Sequence, residues 1–167
     1  LDIFNLDEVD TGAADDSGDR SFTGLYADFK LFEHYKSQAF WMWQRQNPSD
    51  DLSRHTLGIY MKGDHGALSN EVEFAYQTGT RANVDVTAFM FALNLAYKLS
   101  GSYNPVLGIG VDYLSGDDDP TDDKYKVFDT LYATNHKYYG YMDYFLNIPV
   151  HTGGLGLMDV HAKASIS

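Results

Sequence analysis

The stretch "VDVTAFMFALNLAYKL", residues 84–99, decides the fold. Sorted by parity, Phe89, Phe91, Leu93, Leu95, Tyr97 and Leu99 fall in one set, and Ala88, Met90, Ala92, Asn94, Ala96 and Lys98 in the other. One set is greasy and the other small and polar. A period of two means an extended strand, because successive side chains point to opposite faces of a sheet. The run is about twice the usual length of a globular strand, which suits a tilted membrane crossing.

The same alternation recurs along the chain. Leu25, Ala27, Phe29 and Leu31 alternate with Tyr26, Asp28 and Lys30, and Leu57, Ile59 and Met61 with Thr56, Gly58, Tyr60 and Lys62. Leu68, Val72, Phe74 and Tyr76 oppose Glu71, Glu73 and Gln77, while Leu107, Ile109, Val111 and Tyr113 oppose Gly108, Gly110 and Asp112. "GLGLMDVHAKASI" sets Met158, Val160, Ala162 and Ala164 against Asp159, His161 and Lys163. "SQAFWMWQRQ" reads as a strand without a clear assignment of faces, and "KYYGYMDYF" as another strand. Nothing helical competes, so the fold expected is all-β, an antiparallel up-and-down sheet of about eight strands.

The connections alternate in length. "HYK", "GDHG" and "SGS" are short; "NPSDDLS", "TGTRAN" and the run from Ser115 to Lys137 are longer. This asymmetry belongs to outer-membrane barrels, with tight periplasmic turns and long extracellular loops. The chain then divides into an acidic extracellular loop (1–20), strands with alternating turns (21–114), a long acidic loop (115–137) and the last strands (138–167). Both acidic loops are expected to be looser than the wall, since Asp, Gly, Ser and Thr bury little apolar surface. A soluble or surface β-sandwich that binds carbohydrate or calcium would give the same alternation, and it differs in covering the greasy face with a second sheet.

Composition narrows the function. Of 167 residues, 12 are Lys or Arg and 24 Asp or Glu, a net charge of −12 that excludes nucleic acid as a partner. Cysteine is absent, which removes disulfides, thiol catalysis and Cys-ligated zinc. No run of 18 apolar residues exists to make a spanning helix or a signal peptide, but barrel strands escape such a search. Aromatic residues are 15% of the chain, in keeping with belts at two membrane interfaces. Starting at Leu1 and stopping at Ser167 within a strand, the sequence reads as processed or truncated.

Candidate chemistry is sparse. Asp117, Asp118, Asp119, Asp122 and Asp123 supply the oxygens that Ca²⁺ prefers, without the Gly and Glu of an EF-hand; beyond that ion no cofactor is expected. His34, His55, His65, His136, His151 and His161 lack HxxxH or HExxH spacing. No nucleophile elbow occurs, and catalysis is not expected. The residues expected to face a lumen and its cargo are Lys30, Lys62, Glu71, Glu73, Lys98 and Asp112, whose opposed charges would form a network across neighbouring strands.

From about His55 onward the sequence resembles the alginate export domain family of bacterial outer-membrane β-barrels. The resemblance rests on "HTLGIYMKGD", "NEVEFAYQTG", "DVTAFMFALNLAYKL" and above all "SGDDDP" followed by "FDTLYATNHKYYGYMD". "LNIPVHTGGLGLMDVHAKAS" is similar to versions associated with the Bacteroidota. What the resemblance implies is a large monomeric barrel with about twice these strands, set in outer-membrane lipid and lipopolysaccharide, passing a polysaccharide or small solutes. Alginate-exporting members line the pore with many Arg and Lys, whereas the inward charges expected here are mixed.

Overall fold

The computed structural model describes residues 1–7, 20–46, 51–133, 135–140 and 142–166. Most of the amino-terminal loop expected at 1–20, and residues 47–50 of the loop after the third strand, lie outside that set.

Among the described residues nine strands form one sheet: β1 (Asp2–Asp7), β2 (Arg20–Phe29), β3 (Tyr35–Gln46), β4 (Leu52–His65), β5 (Leu68–Arg81), β6 (Val84–Lys98), β7 (Val106–Leu114), β8 (Lys124–Tyr125) and β9 (Leu157–Ser165). The order is β1-β2-β3-β4-β5-β6-β7-β9, each neighbour antiparallel, with short β8 lying parallel to the start of β6. The sheet does not close: β1 and β9 are its two ends, so it is an arc.

Register follows the parity sets. Phe74 lies opposite Ile59 and Phe91, and Phe91 opposite Tyr113, so the greasy sets of adjacent strands join into one continuous face. Among the described residues no second sheet covers it, as the β-sandwich alternative would require: Phe74 is 43% exposed and Val160 68%. An apolar face this broad is not left bare to water in a monomer. Trp41 and Trp43 stack on His55 at 5.8 and 5.7 Å, and Trp43 Nε1 donates to Ser53 Oγ at 3.2 Å, the amphipathic arrangement of an interfacial belt. Tyr97 marks the other end of the same face on β6, eight residues beyond Phe89, or about 26 Å along a strand.

The opposite face is concave and carries the small and polar sets. Gly58 shows why size matters there: a Cβ would lie 2.0 Å from the Phe40 ring, so glycine lets the aromatic of β3 lie flat across β4.

Four boundaries differ from the sequence reading. Residues 2–7 are a strand rather than loop, paired to β2 from Asp2↔Tyr26 to Asp7↔Ser21. The β5–β6 connection is a tight turn at Ala82–Asn83, both at positive φ (48° and 66°), the hairpin geometry that matches strand twist. The expected strand "KYYGYMDYF" is not one: α1 (His136–Tyr139) and turns occupy its place, and a second short helix, α2 (Ile148–His151), follows. Finally, the described residues of 126–148, expected as loose loop and returning strand, fold back onto the concave face. Val127, Phe128 and Ile148 are buried, and Phe128 and Ile148 join Ala75, Ala88 and Leu114 in the one apolar core among the described residues. Ala at 75 and 88 leaves the depth that the incoming rings fill. Of the stretch read as a strand, Tyr139 and Phe145 pack against that core, while Tyr138, Met142 and Tyr144 are exposed.

Candidate functional site

The fold-back segment is held by polar groups reaching up from the wall. Arg54 on β4, 3% exposed, donates to the Asp129 carboxylate at 2.8 Å and to Gln44 Oε1 at 2.6 Å. Gln77 on β5, fully buried, donates to the Asp129 carbonyl at 2.7 Å and accepts from the Asp129 N–H at 3.0 Å. Ser115 donates to the Lys126 carbonyl at 2.7 Å, and Asn135 ties Thr130 to the Leu146 carbonyl at 2.7 and 2.9 Å. The segment therefore satisfies its own backbone against the wall, as burial demands.

Between segment and wall lies a trough of about 810 Å³. Its aromatic lining comes from Phe22 and Tyr26 on β2, Tyr60 on β4, and Tyr132, Tyr138 and Tyr139 on the segment. Burial, then the nearby Asp112, Glu73 and Asp159 carboxylates, push the Tyr139 phenol above its usual range and keep it a neutral donor. Charge divides across the trough. Lys36 and Lys62 are cross-strand partners on one flank, and Glu71, Glu73 and Asp112 follow on β5 and β7. Lys62 meets its partner Glu71 at 3.3 Å, but both are substantially exposed, so the pair contributes little stability and its consequence is the field.

Of the residues expected to face a lumen, Lys62, Glu71, Glu73 and Asp112 line this trough together. Lys30 lies one residue past β2 and Lys98 ends β6; both are exposed at the short-turn end and outside this trough. Lys36 falls in the short turn "HYK" of the sequence reading, whereas β3 begins one residue before it, at Tyr35. Tyr26 and Tyr60 were visible as aromatics in otherwise polar parity sets. Arg54, Gln77 and Asp129 had no local signal, since their partners lie far apart in sequence.

In the acidic loop the carboxylates meet donors of the loop itself. Asp119 Oδ1 accepts from the Thr121 amide at 3.1 Å and hydroxyl at 2.6 Å, and Asp122 Oδ1 from the Lys124 amide at 2.9 Å. Lys126 Nζ stands among Asp122, Asp118 and Asp117 at 2.7, 3.7 and 3.8 Å. Elsewhere, on the concave face, one donor atom each of Asp112, Asp159 and His161 lies within 4.8 Å of the others.

One antiparallel sheet with an uncovered apolar convex face and a charged, aromatic concave face is the wall of a transmembrane β-barrel. The chain belongs to the alginate export family, whose model matches residues 7–153. That family is of the outer-membrane porin and export type rather than an enzyme family. No curated protein and no solved structure gives a significant match.

Proposed function

We propose that this chain forms an arc of an outer-membrane channel that passes a saccharide chain or small polar solutes, with residues 126–148 narrowing the lumen. The observation that carries the reading is the trough itself, on the face turned away from lipid, where aromatic rings and mixed charges lie side by side. Aromatic faces suit the C–H faces of sugar rings, while hydroxyls exchange water for Lys, Glu and Asn side chains at little net cost. Lys36 and Lys62, set beside Glu71, Glu73 and Asp112 along the same wall, give a field running from strand to strand that orients dipolar cargo without favouring one sign. This differs from a basic conduit for polyuronate, and neutral or zwitterionic saccharides are the better-matched cargo. Lipid and lipopolysaccharide surround the convex face in this reading.

The test is conductance of the full-length protein in planar bilayers. Weak ion selectivity is expected, with current blocked by neutral oligosaccharides and the block weakened by Tyr60→Ala. A folded complete barrel silent to ions and sugars would overturn the channel and favour a structural or adhesive role.

A further inference from the structure

On the concave face at the β7–β9 pair, His161 Nδ1 lies 2.9 Å from Asp159 Oδ2 and its Nε2 lies 3.0 Å from Asn94 Oδ1. One donor atom each from Asp112, Asp159 and His161 lies within 4.8 Å of the others. Asp112 and Asp159 are directly paired across the two strands, and His161 and Asn94 both flank Gly110 on neighbouring strands. We propose that Asp112, Asp159 and His161 bind a divalent transition-metal ion of the manganese-to-zinc series, with Asn94 orienting the imidazole.

Three observations carry this. First, a ring nitrogen of His161 and a carboxylate oxygen of Asp159 stand 2.9 Å apart, about the spacing of adjacent donors on a metal with bonds of about 2.0 to 2.2 Å. Asp112 sets a second carboxylate directly opposite Asp159, a like-charge pair that a cation would offset. Second, Asp112 is only 8% exposed, and its carboxylate lies beside the His161 imidazole and the Asp159 carboxylate, so a third donor is held largely out of open water at the same point. Third, the space is kept for the Asn94–His161 bond. A Cβ at Gly110 would lie 2.4 Å from His161 Nε2 and 2.5 Å from Asn94 Oδ1, so only glycine lets that bond run across β7. An imidazole whose other nitrogen is fixed by a carbonyl is the usual support of a histidine ligand.

One nitrogen and two carboxylates suit manganese through zinc better than calcium or magnesium, which take oxygen alone. Asp112 also lines the trough, so the remaining coordination positions face the passage, open to water or to vicinal hydroxyls. Local spacing concealed the site because its ligands come from two strands, and His161 is two residues from Asp159 with no second histidine. The metal proposal stands on the donor geometry and does not rest on transport.

The test uses the full-length protein in detergent, stripped with a chelator and titrated with Co²⁺ followed by visible absorption, and with Zn²⁺ by calorimetry. One ion per chain is expected, not displaced by millimolar Ca²⁺ or Mg²⁺. His161→Gln and Asp159→Asn should each weaken binding at least tenfold, and Asn94→Ala by about 10 to 100-fold, all with the resistance to room-temperature detergent unfolding that marks a folded barrel. Folded wild-type protein without cobalt absorption, or undiminished affinity in folded His161→Gln, would overturn the site.

Discussion

The strands β4 to β6 and the segment 126–148 lie against each other, yet they are stabilised by opposite means. The strands pair with near neighbours, expose their apolar side chains outward and hide polar ones. The segment has almost no regular structure and does the reverse, turning Phe128 and Ile148 into the arc and tying the Asp129 carboxylate to Arg54 and the Asp129 backbone to Gln77. In the wall, lipid is the solvent that decides which side chain faces out; in the segment, the wall itself plays that part. Damage to one should therefore leave the other largely standing.

The largest effect is expected from the wall. Leu93 stands mid-strand on the convex face and Ala92 beside it lines the trough. Leu93→Arg should cost about 2 to 4 kcal/mol in refolding into bilayers, the range for arginine at a barrel midplane, whereas Ala92→Arg enters a wet, acid-flanked space and should cost far less. Equal losses in the two variants would mean that the faces are misassigned.

Next comes the segment. Arg54→Met leaves the Asp129 carboxylate without its buried cation, and Gln77→Leu strips two hydrogen bonds from the Asp129 backbone. Each should cost about 1 to 3 kcal/mol, the usual penalty for orphaning a part-buried polar group, and the cost should fall on the segment alone. Protease cleavage within 126–133 and single-channel conductance should both rise while the barrel remains resistant to detergent. Unfolding of the wall together with the segment would show that the two are one cooperative unit.

Legibility divides along the same line. Phe89, Phe91, Leu93 and Leu95 could be placed from sequence because strand parity is local and lipid rewards every second residue alike. Glu71, Glu73, Asp112 and Lys62 followed, each being the polar complement of a readable set. The trough's other half was hidden. Phe128 and Ile148 look like residues of any strand or loop until Ala75 and Ala88 are known to leave room beneath them. Gln77 read as one more lumen-facing polar residue, and its partner 52 positions away had no signature. His161 and Asp159 were assigned to the correct face, but the buried Asp112 that completes their cluster became visible only once register set β7 beside β9.

The smallest effect concerns the tip of the acidic loop, outside both wall and segment. Lys126 first, then the Lys124 amide, hold the Asp122 carboxyl below its ordinary range, and the Thr121 hydroxyl and amide do the same for Asp119. A depressed folded value means that these carboxylates stabilise the loop above their unfolded value of about 4. That contribution disappears as pH falls through the lower, folded values. Both groups lie in open solvent, where screening keeps the effect small. Hydrogen exchange at the Thr121 and Lys124 amides, corrected for intrinsic rates, should thus lose its protection below about pH 4, while the β5–β6 ladder amides keep theirs. Protection at Thr121 and Lys124 that survives to pH 2 would place those amides with the wall, and the boundary between the loop tip and the folded-back segment would have to be moved.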